Sequence, residues 1–338
     1  MSTLPAFSIK DKKIATEGVG IAGSFIGFGG NTVFALTKTH TEIASFGIDS
    51  NGSIGVTPVE TVPYDLAGGK PDQLLVPVKL GNHIYLPYEV NDEEFVFTIM
   101  KVSNSQISEI NKSKKYIFGR ARPTFLHHMT EWSRIGLGQP PQTYVKVDLF
   151  DFVNQQGEFV CAFRPIEGEM IVQSGLTNNF QNTGRKLVSV SFIDGSRVVH
   201  IRKYNEQSKL ADEILETWSW NDGLFNVESD PEYVLVYAQD QIIVFSLANN
   251  SKWSIDFEKP LVHAGKVVRI GQVLLHHCAD NSGVYVDMID MSTKSLIKTI
   301  RIPDAPGISP LAIHACQNNT CLLIAYPNNQ IFSLTFTD

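Results

Sequence analysis

The sequence predicts an all-β fold, a seven-bladed β-propeller, and three observations support this prediction. Apolar β-type runs alternate with tight turns rich in Gly, Asn, Asp and Gln, which is the pattern of antiparallel hairpins. This hairpin pattern recurs seven times along the 338 residues. Most turn centres lie about 40–50 residues apart, and repeats of that length that each form a small antiparallel sheet are typical of propeller blades.

The hairpins are identified by their turns. The turn centres are Gly30, Gly81, Gln155, Asp194, Gln239, Asp280 and Asn328. The strongest single signal is Asp194-Gly195, because a type I′ turn needs a positive φ at both central residues. Counting from Asn328 to Asp338 and on from residue 1 to Gly30 gives about one more repeat length. We therefore expect the seven units to close on themselves across the termini.

Each unit is expected to add a strand after its hairpin. In the third unit this strand is residues 168–176, and in the fourth it is residues 211–220, although propensity alone would also allow a helix over residues 208–218. The last unit has no such run. We expect residues 7–16 to supply the outer strand of the last blade, because an open ring would leave unpaired strand edges.

This arrangement resembles that of WD40-type propellers and their relatives. The resemblance covers the whole chain but is one of architecture only. The Gly-His and Trp-Asp signatures of true WD40 repeats are absent, and the nearest string, Trp220-Asn221-Asp222, occurs in one blade alone. The resemblance therefore implies a fold and assigns no functional residue.

One gap between turns, from Gly81 to Gln155, exceeds the usual repeat by about 29 residues. We place a mainly non-β insertion at about residues 112–142, between the second and third blades of a single domain that spans residues 1–338. Apolar residues recur there at every third position, which predicts one face of a short helix. These residues are Leu126, Met129, Trp132 and Ile135.

The insertion also reverses the local charge. It carries six basic residues and one acidic residue between Lys112 and Arg134, in a chain of net charge −7, and aromatic residues are interleaved with them. Such a segment can bind an acidic or phosphorylated protein segment, or single-stranded nucleic acid as the least favoured partner. The alternative is a solvated connector that caps the propeller. The predicted partner-binding residues are Arg120, Arg122, Trp132 and Arg134.

No motif identifies catalytic or metal chemistry. Residues 18–23 match G-x-G-x-x-G, but a dinucleotide site needs a helix after the glycines, and a strand-like run follows instead. The chain has two pairs of adjacent histidines, His127-His128 and His276-His277. Adjacent residues point to opposite faces of a strand, so neither pair can chelate one ion alone. We therefore expect no catalytic residue, no metal ligand and no cofactor.

The four cysteines are too few and too scattered for a disulfide framework. Cys161 is expected to be a small buried apolar residue. Cys316 and Cys321 should face each other across a hairpin, and an oxidising compartment would allow a disulfide between them. The chain begins with no secretory signal and has no apolar run long enough for a membrane span, so we favour two free thiols and a cytoplasmic or nuclear protein.

The predicted function is a non-catalytic scaffold for protein–protein interaction, a subunit of a larger complex whose partners are other proteins. The alternative is a propeller enzyme or glycan-binding protein with its site at the axial mouth. A glycosidase there would need a pair of converging carboxylates. Enzymatic activity is left open as the less favoured alternative, because a fold by itself does not determine function.

Overall fold

Antiparallel hairpins form the whole of the described structure. The computed structural model describes residues 9–14, 25–37, 41–64, 78–80, 83–89, 94–103, 106–112, 116–117, 132–135, 145–151, 156–176, 184–220, 225–229, 232–257, 261–262, 265–316 and 321–336. Over these residues the backbone forms strands joined by turns and loops, and no α-helix is present among them. The predicted all-β class is therefore confirmed.

The strands are numbered in chain order. They are β1 (Ile9–Ile14), β2 (Phe25–Gly29), β3 (Thr32–Leu36), β4 (Glu42–Gly47), β5 (Glu60–Pro63), β6 (Val78–Leu80), β7 (His83–Glu89), β8 (Glu94–Ser103), β9 (Gln106–Lys112), β10 (Tyr116–Ile117), β11 (Trp132–Ile135), β12 (Val145–Asp151), β13 (Gln156–Phe163), β14 (Met170–Leu176), β15 (Lys186–Ile193), β16 (Ser196–Lys203), β17 (Ile214–Trp220), β18 (Phe225–Ser229), β19 (Tyr233–Ala238), β20 (Gln241–Ser246), β21 (Lys252–Asp256), β22 (Val267–Ile270), β23 (Val273–Asp280), β24 (Gly283–Asp290), β25 (Ser295–Ile302), β26 (Ala312–Ala315), β27 (Cys321–Ala325) and β28 (Ile331–Phe336).

Within the described ranges the strands pair into seven antiparallel sheets. In chain order these are the first sheet (β2–β5), the second (β6–β10), the third (β11–β13), the fourth (β14–β17), the fifth (β18–β21), the sixth (β22–β25) and the last (β26–β28 with β1). Each predicted turn centre lies between two paired strands of one sheet. Asp194 and Gly195 have φ angles of 50° and 82° between Ile193 and Ser196, which are paired, as a type I′ turn requires.

The N-terminal strand lies in the last sheet. β1 pairs antiparallel with β28, from Ile9 opposite Phe336 to Ile14 opposite Phe332. The order of that sheet is β1-β28-β27-β26, so the first strand of the chain is its edge strand. The predicted strand within residues 7–16 is thus present with the predicted partner.

Buried apolar side chains lie between neighbouring sheets. The central strands are buried on both faces, for example β3 and β27 along their whole length. Shared clusters join the first sheet to the second and to the last, the fourth to the fifth, the fifth to the sixth, and the sixth to the last. Strand β11 of the third sheet contacts β14 of the fourth.

The third unit differs from the prediction. Residues 168–176 were expected as its third strand, but the strand there is β14 (Met170–Leu176), which pairs with β15 of the fourth sheet. The chain turns away after β13 because Pro165 cannot donate a ladder hydrogen bond and Gly168 has a φ of 78°. The Glu169 N–H closes this turn on the Ile166 carbonyl at 3.0 Å.

The insertion supplies a strand where a helix was predicted. Trp132–Ile135 forms β11 and pairs with β12, so the helix predicted over Leu126, Met129, Trp132 and Ile135 is wrong at residues 132–135. Leu126 and Met129 lie outside the described residues. A three-residue spacing over so short a segment does not distinguish the two structures, and the ladder with β12 decides between them. The ambiguous segment before Trp220 is a strand, β17, as the repeat requires.

Candidate functional site

Only two of the four predicted partner-binding residues lie in the described part of the chain. Trp132 and Arg134 are in β11, opposite Phe150 and Asp148 of β12. Because residues two apart on a strand lie on the same face, the backbone places Trp132 and Arg134 on one face of the third sheet. Arg120 and Arg122 lie outside the described residues.

The glycine-rich run at residues 18–23 also lies outside them. The segment that follows it is β2, a strand buried along its length, and then the hairpin to β3. A dinucleotide site needs the N-terminus of a helix at this point. The chain therefore has a strand where a dinucleotide site would have a helix.

The sixth sheet holds a buried cluster of three potential ligand side chains. His276 and Cys278 are two residues apart on β23 and so share one face of the strand. The hairpin register places Asp287 of β24 directly opposite His276. The Asp280-Asn281-Ser282-Gly283 turn sets this register, because the Asp280 Oδ1 accepts hydrogen bonds from the N–H groups of Ser282 and Gly283 at 2.7 and 3.0 Å.

Asp287 is the centre of this cluster. Its Oδ2 accepts a hydrogen bond from the Cys278 Sγ at 3.3 Å, and its Oδ1 accepts one from the Thr299 hydroxyl at 2.6 Å. The His276 Nδ1 lies 3.9 Å from Oδ2. Burial by itself raises the pKa of the Asp287 carboxyl, but the adjacent His276 ring and the hydrogen bond from Thr299 outweigh it, so the pKa lies below its ordinary value.

The same burial acts on the thiol. Burial, followed by the neighbouring Asp287 charge, raises the pKa of Cys278 far above its ordinary value. Without a cation at the cluster the sulfur is therefore a protonated thiol.

The His276 ring is enclosed without hydrogen bonds. It stacks on Phe257 at 5.6 Å between ring centroids and lies 5.5 Å from Tyr237, and neither of its ring nitrogens has a hydrogen-bond partner. Gly265 lies beside it, where a Cβ would collide with the His277 carbonyl oxygen and lie 3.1 Å from the His276 Nε2. A glycine is thus required here by the His277 backbone, and any side chain would also crowd the His276 ring.

His277 faces the other way, as predicted for adjacent histidines on a strand. Its Nε2 is hydrogen bonded to the Tyr326 hydroxyl of the last sheet at 2.9 Å. Burial raises the pKa of Tyr326, so the phenol stays protonated. One histidine of the pair therefore faces the fifth sheet and the other the last sheet.

This cluster was not predicted from the sequence, because each histidine pair was considered alone. The informative signal was His-x-Cys on one strand together with an aspartate at the register partner. Asp287 is identified as the register partner of His276 once the turn after Asp280 is used to pair β23 with β24.

The fourth sheet holds a second buried polar cluster. The Arg202 Nη2 lies 3.2 Å from the Glu169 Oε2, and the Arg202 guanidinium lies 4.6 Å from the Phe163 ring centroid. The Glu169 carboxylate also accepts hydrogen bonds from the Ser191 hydroxyl at 2.8 Å and from the Ile166 N–H at 2.7 Å. These bonds join the loop before β14 to strands β15 and β16.

His200 belongs to the same cluster. Its Nδ1 is hydrogen bonded to the Thr217 hydroxyl at 2.9 Å, and its Nε2 lies 3.5 Å from the Glu169 Oε1. Burial lowers the pKa of His200, and the Arg202 charge adds to this effect while the Glu169 charge opposes it. The imidazole is therefore held in its neutral form.

Cys316 and Cys321 form a disulfide, so the expectation of two free thiols is wrong for the structure. Their Cα atoms lie 5.5 Å apart, and the Cys316 N–H donates to the Cys321 carbonyl at 3.0 Å. The pairing across the β26–β27 hairpin was predicted, and it is this close pairing that allows the bond. The side chain of Cys161 is not among those described.

Several large apolar side chains remain exposed. Val56 and Val59, in the loop between β4 and β5, are 64% and 66% exposed. On the outer strand β25, Leu296 and Ile297 are 45% and 43% exposed. In the described part of the chain, no helix has the length and apolar character needed to cross a membrane.

Sequence comparison detects no relative: no family model matches the chain, and a search of curated proteins finds no significant match. Structural comparison does detect similar folds. A chain in the crystal structure of the mitotic checkpoint complex superposes with a TM-score of 0.53 at 11% identity, over 100% of this chain and 95% of that chain. The β-propeller domain of Cps50 (Swd1) from Myceliophteria thermophila gives 0.52 at 8% identity, over 97% of each. Saccharomyces cerevisiae Sqt1 gives 0.48 at 9% identity, over 94% of this chain and 84% of that one.

The first two of these similarities have TM-scores above 0.5 and extend over nearly the whole chain, whereas the identities are far below those that indicate shared function. They agree with the antiparallel sheets and the repeated hairpins described above. The chain therefore has the β-propeller architecture of WD40-type proteins, and no more specific family is identified.

Proposed function

We propose that this chain is a non-catalytic scaffold for protein–protein interaction and a subunit of a larger complex. Its framework would be a closed ring of seven blades, one for each sheet. Contacts join the first sheet to the second. They also join the third sheet to the fourth, the fourth to the fifth, the fifth to the sixth and the sixth to the last, and the last sheet contacts the first. We infer that the second and third sheets meet as well, which completes the ring.

The N-terminal strand would close this ring. By pairing with β28, β1 covers a strand edge that would otherwise be open to other chains. Gly52 supports the same closure, because the loop after β4 packs it against Ser333 and Cys321 of the last sheet. A rigid closed ring holds its loops in fixed positions, as a docking scaffold requires.

The observation that carries the proposed function is the contrast between the interior and the surface. The two polar clusters are buried, with Glu169 and His276 both at 0% side-chain exposure and Asp287 at 8%. Val56 and Val59 of one loop are instead about two-thirds exposed. Contiguous exposed apolar surface is typical of protein interaction sites, whereas a buried carboxylate or imidazole is poorly accessible to a dissolved substrate.

The proposed docking surface consists of Arg120, Arg122, Trp132 and Arg134. Arg and Trp are the residue types that most often anchor interfaces, and arginines bind carboxylates and phosphates in bidentate fashion. We propose an acidic or phosphorylated protein segment as the partner. The chain of similar fold in the mitotic checkpoint complex supports a role in an assembly. We also propose a cytoplasmic or nuclear location.

The test compares two variants of equal charge. The first replaces Arg120, Arg122 and Arg134 by Glu. The matched control replaces Lys101, Lys294 and Lys298 by Glu, because these are exposed residues on other parts of the chain. Quantitative affinity purification with mass spectrometry measures the partners that each variant retains.

We expect the arginine variant to lose the partners that the wild type and the lysine control both recover. Its melting temperature should stay within a few degrees of the wild type, because exposed charges contribute little to folding. Retention of every partner by the folded arginine variant would place the docking surface elsewhere. Unfolding of that variant would instead show that the segment is a structural connector.

A further inference from the structure

We propose that His276, Cys278 and Asp287 bind a divalent transition-metal ion of the zinc class in a buried structural site on the sixth sheet. The sequence analysis expected no metal ligand, and the proposed scaffold role does not require one. One donor atom from each residue lies within 4.8 Å of the other two, and all three side chains are buried.

The spacing of the donor atoms suits one ion. Zinc binds Cys sulfur at about 2.3 Å and His nitrogen or carboxylate oxygen at about 2.0–2.2 Å, so tetrahedral ligand atoms lie about 3.3–3.8 Å apart. The Cys278 Sγ lies 3.3 Å and the His276 Nδ1 3.9 Å from the Asp287 Oδ2. Small side-chain rotations would therefore bring all three atoms into contact with one ion.

The backbone holds these residues together. His276 and Cys278 share one face of β23, and Asp287 is the cross-strand partner of His276. The Thr299 hydroxyl holds the other oxygen of the Asp287 carboxylate at 2.6 Å. Hydrogen bonds of this kind orient ligands at metal sites and raise metal affinity.

The buried imidazole of His276 supports a metal site independently of the donor-atom spacing. Neither nitrogen of the fully buried His276 has a hydrogen-bond partner, and its Nδ1 points toward the cluster. A buried polar atom without a partner destabilises a fold, and a metal–nitrogen bond would remove that deficit.

The charge of the three ligands and the soft sulfur of Cys278 favour Zn²⁺ or chemically similar divalent ions. A thiolate, a carboxylate and a neutral imidazole carry a charge of −2 together, which one divalent ion neutralises within the apolar interior. Binding would form a metal–sulfur bond as the Cys278 thiol releases its proton to solvent. The thiolate selects against magnesium and calcium, which prefer oxygen ligands.

The test uses the full-length chain, purified in the presence of a chelator and then dialysed. Zn²⁺ is added in steps while bound metal and melting temperature are measured, and Co²⁺ is added to a second sample. We expect one bound ion per chain, a melting temperature raised by at least several degrees, and the absorption band of a Co²⁺–thiolate bond.

Two variants locate the site. Cys278→Ser keeps the size of the side chain and should abolish the Co²⁺–thiolate band and weaken Zn²⁺ binding by at least tenfold. Ser295→Ala, at an exposed position of β25 in the same sheet, should leave the metal stoichiometry and the band unchanged. The wild-type Co²⁺ spectrum needs no variant, so the proposal remains testable even if Cys278→Ser fails to fold.

The absence of a thiolate band in the folded wild type would overturn the proposal, as would Zn²⁺ binding by Cys278→Ser that equals the wild type. Metal bound without a change in melting temperature would also contradict it, because binding within the folded sheet must stabilise that sheet.

Discussion

Glu169 and Arg202 form an ion pair at 3.2 Å whose side chains are 0% and 1% exposed. One residue along the same strand, Lys203 pairs with Glu213 at 3.0 Å, but these side chains are 61–62% exposed. Both pairs therefore join a basic side chain to a glutamate, but the first pair is buried and the second is exposed to solvent. Arg202 is held by Glu169 and by the Arg164 carbonyl at 3.3 Å, whereas water can replace either partner of Lys203–Glu213.

Glu169→Ala should reduce the free energy of unfolding by about 3–5 kcal/mol, because it leaves the Arg202 charge buried without its ion-pair partner. Glu213→Ala is the matched control and should change it by less than about 1 kcal/mol. Chemical denaturation of both variants measures the difference. Equal losses in the two variants would contradict the claim that the buried Glu169–Arg202 pair contributes more to stability than the exposed Lys203–Glu213 pair.

His200 should make the fold less stable in mild acid. Burial lowers its pKa in the folded chain, whereas the unfolded chain takes up a proton near pH 6.5. The unfolded state thus binds more protons below about pH 6.5, so stability falls as the pH falls from about 7 to 5.

The variant His200→Gln tests this dependence while keeping a side chain that can bond to Thr217. We expect the free energy of unfolding of this variant to change less between pH 7 and pH 5 than that of the wild type. Parallel pH profiles for the two proteins would show that His200 titrates alike in the folded and unfolded states.

Gly52 should tolerate a side chain poorly. Its φ is +70°, and a Cβ there would collide with the Ser333 hydroxyl and lie 3.3 Å from the Cys321 Cβ. Gly195 is a matched control, because its φ is +82° and a Cβ there would meet no atom within 4 Å. Both Ala variants incur the strain of a positive φ, and only Gly52→Ala adds the collision.

We expect Gly52→Ala to be less stable than Gly195→Ala by about 1–3 kcal/mol, the range for overpacking a well-packed site. The melting curves of the two variants give this difference. Equal stability would mean that the loop after β4 moves away from the last sheet without loss.

Much of the fold could be predicted from local turn chemistry. Asp194-Gly195 has the positive φ angles that its sequence implies, and the run within residues 7–16 forms a strand opposite β28. The predictions failed where pairing across the sheet decided the structure. Trp132–Ile135 became a strand because β12 was available to it, and residues 168–176 joined the next sheet after the turn at Gly168.

The site was less accessible from the sequence. The expectation of free thiols at Cys316 and Cys321 rested on compartment and not on geometry, and the close pairing across the hairpin overrode it. The cluster of His276, Cys278 and Asp287 becomes visible only when the register of β23 with β24 is known. Register depends on one turn, and shifting it by a single residue would move Asp287 to the opposite face.

The N-terminal strand completes the last sheet, and we propose that it thereby closes the propeller. Deletion of residues 1–16 tests this closure, with melting temperature and size-exclusion chromatography as the measurement. We expect aggregation, or a melting temperature lowered by more than about 5 °C, because the apolar edge of β28 loses its partner. A synthetic peptide of residues 1–16 should restore the wild-type value and a scrambled peptide should not. A soluble, monomeric truncation with an unchanged melting temperature would contradict the closure.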